Sequence, residues 1–202
     1  MKQEFSDRQI EIMEAAMEII DRRGIQELTT KNLAQDIGLS EAALYRHFES
    51  KHAILLGLMN HFTGEMKDRV VAIASKEERS PSELIRDIFL SQLKTFVQKP
   101  AIVQIIFAEG IFQFNKELMQ KVADMMEMMQ QQLERIIKQG QQDGSFRDFA
   151  GPSTLATIIM GSMRLAVMKW KVMGHKTDLV KDGMKVLKGV LMMVEKSVKQ
   201  AV

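Results

Sequence analysis

Residues 30–51 read TKNLAQDIGLSEAALYRHFESK, and the spacing of small, apolar and polar residues in this stretch decides the fold. Two short helices that cross steeply need a very small side chain at the crossing, and Ala34 occupies that position. Four residues later, Gly38 can adopt the left-handed backbone that ends a helix. This spacing predicts a helix-turn-helix. Its small core is expected from apolar residues at helical intervals, namely Leu33, Ile37, Leu39, Leu44 and Phe48.

Hydroxyl residues precede the predicted helices of this unit. Thr30 and Ser40 each stand just before a helical segment, and Ser50 precedes the next one. A hydroxyl at such a position accepts hydrogen bonds from the free backbone amides of the first turn. We therefore expect these three residues to cap their helices. An ordinary helical hairpin would also explain the small residue and the glycine, but it would not need a polar second helix.

The second helix of the unit has a small, polar face. Ala42 and Ala43 are short enough to let the helix N-terminus approach base edges, where its amides and dipole also favour phosphate. Arg46 can bind a guanine or a phosphate, and the ring donors of Tyr45 and His47 suit phosphate oxygens. This pattern favours contact with a DNA groove. We predict DNA contacts from Thr30, Lys31, Ser40, Glu41, Ala42, Ala43, Tyr45, Arg46, His47 and Lys51.

The same stretch resembles the DNA-binding domain of the TetR family of bacterial and archaeal one-component regulators. Members carry a Thr-initiated helix, a glycine turn and a Tyr-Arg-x-Phe motif followed by Ser-Lys, which here are YRHF at 45–48 and SK at 50–51. The resemblance extends from Asp7 into the helix that starts at Lys51. Many members have Gly or Thr where this chain has two alanines at 42–43, so no base preference is transferred.

The resemblance also implies roles for individual residues and an architecture of nine helices. Contacts to the DNA backbone are implied for Thr30, Tyr45, His47 and Lys51, and positions in the major groove for residues 40–43 with Arg46.

The composition fits a folded protein of this size. The 202 residues are 46% hydrophobic and 27% charged, and the formal net charge is only +2. The first fifty residues carry six basic and ten acidic side chains, so their overall charge argues against a nucleic-acid partner. We give more weight to the local face, because Lys31, Arg46, His47 and Lys51 cluster there. Few phosphates are neutralised by such a face. A plot of log affinity against log salt concentration should therefore have a slope of about −4 to −7 per dimer.

Several other functional classes find no support in the sequence. The chain has no cysteine, and its four histidines show no recognisable metal-binding spacing. It has no nucleophile elbow and no phosphate-binding glycine loop. Residues 1–9 are polar, and the most apolar run, 154–168, is shorter than a membrane span and contains Arg164. We expect no enzyme activity, no metal or cofactor, no membrane association, and a cytoplasmic, nucleoid-associated protein.

Helical periodicity recurs along the whole chain, and no segment alternates as a strand does. The three prolines mark helix boundaries, Ser80 with Glu83 predicts a capping box, and Asn115 predicts a further cap. The predicted fold is all-α. It has a three-helix, helix-turn-helix domain at 1–50 and a helical ligand-binding and dimerisation domain at 51–202. We predict nine helices, near residues 7–23, 31–37, 41–47, 51–75, 81–98, 101–113, 116–139, 153–173 and 178–199.

The last two predicted helices carry apolar stripes that one subunit could bury only in part. Helices at this position pair into a four-helix dimer interface in TetR-like proteins, and Gly161 and Gly183 would permit close approach. The alternative is that the stripes belong only to the core of one subunit. A dimer would require an inverted-repeat operator on double-stranded DNA. The predicted dimer interface comprises Leu155, Ile159, Met163, Val167, Leu187, Leu191, Val194 and Val198.

Seventeen methionines are many for this length, and several fall in the second domain together with aromatic residues. Methionine adapts to varied shapes, so these side chains could surround a hydrophobic or amphipathic small-molecule effector. Ordinary core packing is the alternative. The predicted pocket comprises His61, Phe89, Phe96, Phe107, Phe112, Met125, Met129, Met163 and Trp170.

The sequence therefore predicts a DNA-binding transcriptional regulator, namely a homodimeric repressor that a small molecule releases from its operator. One alternative remains, because the segment SEAALYRHF followed by Ser-Lys also resembles the nucleoid-occlusion branch of the same superfamily. Such a protein acts on the cell-division machinery while bound to DNA and needs no inducer. Loss of DNA binding on addition of a ligand would separate the two functions.

Overall fold

The structure is a computed structural model that describes residues 5–107 and 115–196. Over these residues it contains nine α-helices and one short 3-10 helix, and the predicted all-α fold is confirmed. The predicted sixth helix, 101–113, lies partly outside the described residues. The α-helices are α1 Asp7–Arg23, α2 Thr30–Asp36, α3 Glu41–Tyr45, α4 Lys51–Ala74, α5 Pro81–Gln98, α6 Pro100–Ile106, α7 Lys116–Gln142, α8 Pro152–Val172 and α9 Leu179–Val194.

Two predicted helix caps are present in the structure. The Ser80 amide donates to Glu83 Oε2 at 2.9 Å, and the Glu83 amide donates to Ser80 Oγ at 3.4 Å, which completes a capping box at α5. The hydrogen bond from the Ser80 amide, followed by those from Ser80 Oγ and Arg79, holds the pKa of Glu83 below its usual range. At α7, Asn115 Oδ1 accepts from the Leu118 amide at 2.8 Å.

The last helix is shorter than the sequence predicted. α9 ends at Val194, where the expected helix continued to residue 199, and Glu195 adopts extended geometry. The backbone there forms other hydrogen bonds: Arg147 N donates to Val194 O at 2.8 Å, and Lys196 N donates to Ser145 O at 2.9 Å. Because this pairing replaces the hydrogen bonds of a further helical turn, the helix stops.

The described residues group into two compact units. Unit 1 contains those of 1–66 and 98–125, and unit 2 contains those of 67–97 and 126–202. The predicted division at residue 50 followed the helix-turn-helix motif, whereas the two units follow the packing of the folded chain.

In unit 1, α1 packs against α2 and α6. The Gln104 side-chain amide of α6 donates to the Ile20 carbonyl of α1 at 3.0 Å. The same carbonyl also accepts from the Gly24 amide, which caps the end of α1, at 2.9 Å. The buried residues of α1 recur at helical spacing and form one face of the helix. They are Ile12, Met13, Ala16, Ile19 and Ile20. α1 thereby supports the helix-turn-helix from behind.

In unit 2, α8 and α9 pack against each other. Gly183 of α9 lies against Leu93 of α5, where an added Cβ would stand 2.6 Å from Leu93 Cδ1. This glycine therefore permits close packing within the subunit. The buried residues of this helix pair include Leu155, Ile159, Val167, Leu187, Leu191 and Val194.

Gly140→Ala is expected to lower the stability of the fold. A Cβ at Gly140 would stand 2.5 Å from Cδ2 of Phe146, whose side chain is fully buried and has no free space to move into. Overpacking of this kind costs about 1–3 kcal/mol. Thermal unfolding measures the effect, and Gly64→Ala is the control because no atom lies within 4 Å of its Cβ position. Equal melting temperatures for the two variants would contradict the packing described here.

Candidate DNA-binding surface

The helix-turn-helix in unit 1 has the predicted geometry. Gly38 adopts the left-handed conformation, with φ 66°, and its amide donates to Gln35 O at 3.3 Å. The Leu39 amide donates to Ala34 O at 2.8 Å, which closes the end of α2. Ala34 is buried, as the steep helix crossing requires, and Leu44 of α3 is fully buried beneath the turn. The structure thus contains the helix-turn-helix that the sequence predicted.

The cap of α2 is one residue earlier than predicted. Thr29 is extended and its hydroxyl accepts from the Asn32 amide at 3.0 Å, whereas Thr30 is the first helical residue. Either threonine side chain could cap the helix, but only Thr29 has the extended backbone of a capping residue. The predicted caps at the next two helices are present: Ser40 Oγ accepts from Ala43 N, and Ser50 Oγ accepts from Ala53 N, both at 3.1 Å.

The hydroxyl of Thr30 does not cap α2 and makes other contacts, which the sequence did not predict. It donates to Glu41 Oε2 at 3.0 Å and accepts from the Tyr45 hydroxyl at 3.4 Å. These side chains tie the start of α2 to the first and last residues of α3. The network fixes how α3 lies across α2, and α3 is the helix predicted to enter the DNA groove.

The basic side chains predicted to contact DNA fall into two groups by exposure. Lys31 and Arg46 are exposed. Lys51 is half-buried, and its ammonium group donates to Ile25 O at 3.2 Å, in the turn that follows α1. Burial lowers the pKa of Lys51. Lys51 therefore holds the start of α4 against that turn, and Lys31 and Arg46 present their charge directly to solvent.

The remaining predicted contacts lie around α3. Ala42 and Glu41 are exposed and Ala43 is half-buried, so short side chains do cover the N-terminal turn of α3. His47 is half-buried, and its carbonyl accepts from Gln9 Nε2 of α1 at 3.2 Å. Nine of the ten residues of the predicted set belong to α2, α3 and the residues next to them, and Lys51 is the first residue of α4. Their contacts with DNA remain a prediction.

The predicted pocket residues divide between the two units. Unit 1 contains His61, Phe107 and Met125, and Phe112 lies outside the described residues. His61 Nε2 lies 3.4 Å from Glu65 Oε1, and it lines a pocket of about 130 Å³ between α1, α4 and the start of α6. Unit 2 contains Phe89, Phe96, Met129, Met163 and Trp170.

The pocket residues in unit 2 are mostly buried. Phe89, Phe96, Met129 and Trp170 have little exposure, and Met163 is half-buried. The Trp170 ring stacks on His175 with 4.1 Å between ring centroids. Such burial fits core packing as well as a pocket wall, so the pocket remains a prediction.

Most residues of the predicted dimer interface lie inside the subunit, and the interface itself remains a prediction. Leu155, Ile159, Val167, Leu187, Leu191 and Val194 are buried within the subunit, because α8 and α9 pack on each other through these residues. Met163 is half-buried, and Val198 lies outside the described residues. A different apolar face is exposed, which we call the α8/α9 outer face. It consists of Ile158, Leu165, Met168 and Val172 on α8 and Val186, Met192 and Met193 on α9.

Two further functional classes can be checked against the described residues. No group of three or more histidine, cysteine, aspartate or glutamate side chains is placed to hold a metal ion in the described part of the chain. Among the helices described, none is both long and apolar enough to cross a membrane.

Comparison with known proteins identifies both regions of the sequence. The family profile for bacterial regulatory proteins of the tetR family matches residues 12–58, and the profile for the YsiA-like protein C-terminal region matches residues 57–199. Among curated proteins, the nucleoid occlusion factor SlmA of Vibrio vulnificus strain YJ016 is 32% identical over 136 residues, which cover 66% of this chain and 68% of SlmA.

Solved structures share the fold across nearly the whole chain. The fatty acid degradation regulator FadR of Bacillus halodurans aligns with a TM-score of 0.82 at 19% identity, over 94% of this chain and 97% of its own. The regulator FadR of Bacillus subtilis, solved in complex with stearoyl-CoA, aligns with a TM-score of 0.78 at 22% identity, over 92% of this chain and 99% of its own. With its helix-turn-helix and both profile matches, the chain belongs to the TetR family and is a DNA-binding transcriptional regulator.

Proposed function

We propose that this protein is a homodimeric repressor that leaves an inverted-repeat operator when an amphipathic molecule with a long acyl chain binds its helical body. One observation carries the choice of effector: a regulator solved with stearoyl-CoA shares the fold over 92% of this chain. The apolar side chains of the predicted pocket suit an acyl chain. Such a molecule also belongs to the hydrophobic or amphipathic class that the sequence predicts.

The helix-turn-helix supplies the operator contacts in this proposal. Short side chains on the first turn of α3 let that helix approach the bases, and the exposed Arg46 lies immediately after its last residue. Lys31 is placed to bind phosphate. The Thr30, Glu41 and Tyr45 network holds α3 in position, and a phosphate oxygen can replace Glu41 as the acceptor for the Thr30 hydroxyl.

The α8/α9 outer face is the proposed dimer interface, with a second copy of the chain as its partner. On α8, the exposed positions 158, 165, 168 and 172 recur at helical spacing and form one continuous stripe. Gly161 lies between them with no atom within 4 Å of its Cβ position, so a partner helix can approach closely there. An apolar stripe of this kind is unfavourable in water and is stabilised by burial against another subunit.

Release of DNA follows from a change in conformational population. Lys51 is the first residue of α4, which continues without interruption to Ala74. A displacement along this helix therefore moves its N-terminal end, which lies next to α3 in sequence. The effector must prefer the conformation in which the two recognition helices of the dimer are wrongly spaced. The factor by which operator affinity falls cannot exceed the ratio of the effector's affinities for the two conformations.

Selection of bound fragments from the source genome by the purified protein tests the repressor role. A few inverted repeats beside one or a few operons are expected. Absence of any enriched sequence would contradict DNA binding by this chain alone. Genes for acyl-chain metabolism next to the selected sites would support the proposed effector.

A second function is favoured by the 32% sequence identity with the nucleoid occlusion factor SlmA, which extends over 68% of that protein. In this case the chain would act as a nucleoid-associated protein that influences cell division and needs no effector. The same selection separates the two functions, because this role predicts many dispersed sites. The fold shared with a regulator solved in complex with stearoyl-CoA favours the ligand-released repressor.

A further inference from the structure

α4 carries a guanidinium group, that of Arg69, in which two of the three nitrogens are buried without a hydrogen-bond partner. The Arg69 side chain is half-buried, but its Nε and Nη2 atoms are inaccessible to water, and neither donates a hydrogen bond within the described chain. Arg69 follows Phe62 by seven residues and Met66 by three. It therefore extends from the same side of α4 as these two buried residues.

Burial of these two donors without an acceptor is unfavourable, because they lose their hydrogen bonds to water. A guanidinium also keeps its positive charge in proteins. Other arginines of unit 2 have acceptors: Arg79 lies 3.0 Å from Glu83, and the Arg147 Nε donates to the Glu195 carbonyl at 3.1 Å.

We propose that Arg69 binds the anionic group of the effector. The planar guanidinium donates two parallel hydrogen bonds to a carboxylate or a phosphate, and two of its nitrogens are free to do so. The ligand class is therefore an anionic amphiphile, in which a carboxylate or phosphate contacts Arg69 and the acyl chain enters apolar surroundings. This inference rests on the proposed function, because it assigns one polar contact to the same effector.

The test compares three ligands that share one chain length: dodecanoate, dodecanoyl-CoA and the uncharged dodecanol. Calorimetric titration of the full-length protein gives the affinity for each. The variants are Arg69→Met, which keeps the length of the side chain without its charge, and Arg69→Lys, which keeps the charge without the planar fork. Lys67→Met is the control, because Lys67 is exposed and lies two residues earlier on the same helix.

The wild type should bind one or both anionic ligands about tenfold or more tightly than dodecanol. Arg69→Met should lose that preference, Arg69→Lys should recover part of it, and Lys67→Met should keep it. A preference confined to dodecanoyl-CoA would assign the anion to phosphate, one confined to dodecanoate would assign it to a carboxylate, and one shared by both ligands would show that Arg69 binds either group. If Arg69→Met does not fold, the preference is compared between the wild type, Arg69→Lys and Arg69→Gln.

Two results would overturn the role of Arg69. One is a wild-type protein that binds no ligand of the three, or binds dodecanol as tightly as the anions. The other is an Arg69→Met protein that keeps the full preference. The proposed repressor mechanism fails separately: an anionic ligand that binds through Arg69 but leaves the operator complex intact would support this inference and contradict that mechanism.

Discussion

Leu165→Asp should convert the dimer into monomers and weaken operator binding by about a hundredfold or more. Leu165 is 68% exposed and lies within the exposed stripe of α8, between positions 158 and 172. A carboxylate there would be buried without a partner when two subunits meet. A monomer contacts one half-site only and loses the gain in affinity from the linked second half-site. Sedimentation velocity measures the dimer, and fluorescence anisotropy with labelled operator measures the affinity.

Val97→Asp is the control for this experiment. Val97 is an exposed apolar residue of α5, outside the α8/α9 outer face, and is 44% exposed. The same charge at this position should leave both the dimer and its operator affinity unchanged. A Leu165→Asp protein that stays dimeric would show that the second subunit binds elsewhere.

Arg46→Ala is expected to weaken operator binding by about tenfold per subunit, and so by about a hundredfold per dimer. Arg46 is exposed immediately after α3, and each recognition helix of the dimer contributes one copy. If the guanidinium binds a guanine, the variant also loses discrimination at one base pair of each half-site. Binding to a library of operators with single-base changes measures both effects.

Lys31→Ala provides the comparison for Arg46. Lys31 is exposed at the start of α2 and is expected to bind phosphate, so its loss should weaken binding to all operators equally and reduce the dependence on salt. An Arg46→Ala variant with the affinity and base preference of the wild type would contradict the proposed orientation of α3 in the groove.

The helix-turn-helix could be predicted from sequence because its determinants are local. Ala34 and Gly38 are required by the geometry of one tight turn, and the structure shows them buried and left-handed, respectively. The cap of α2 was harder to predict, because two threonines in succession both suit that position. Only the backbone of Thr29 distinguishes them, since it is extended and that of Thr30 is helical.

The exposed side of α8 could not be predicted because apolar residues cover more than one side of this helix. The stripe through Leu155, Ile159 and Val167 packs within the subunit, and the stripe through Ile158, Leu165 and Val172 is exposed. Both have helical spacing, so periodicity alone does not show which one α9 covers. The choice depends on tertiary packing.

The end of α9 and the pocket depend on contacts between residues far apart in sequence. α9 stops at Val194 because residues 145–147 pair with the backbone that follows it, and no residue near Glu195 signals this. Arg69 was not predicted as a binding residue either, because its burial without a partner is visible only in the folded chain. Sequence patterns therefore predict the helix-turn-helix, whereas the burial of Arg69 can be recognised only from the folded chain.

The most direct test of ligand-released repression is a titration of stearoyl-CoA into the preformed complex of the dimer with its selected operator. Fluorescence anisotropy of the labelled operator reports how much DNA remains bound, and coenzyme A without the acyl chain is the control. The account predicts that stearoyl-CoA lowers the operator affinity by about tenfold or more and that coenzyme A alone does not. An operator complex that stays intact while calorimetry shows the protein saturated with stearoyl-CoA would contradict it.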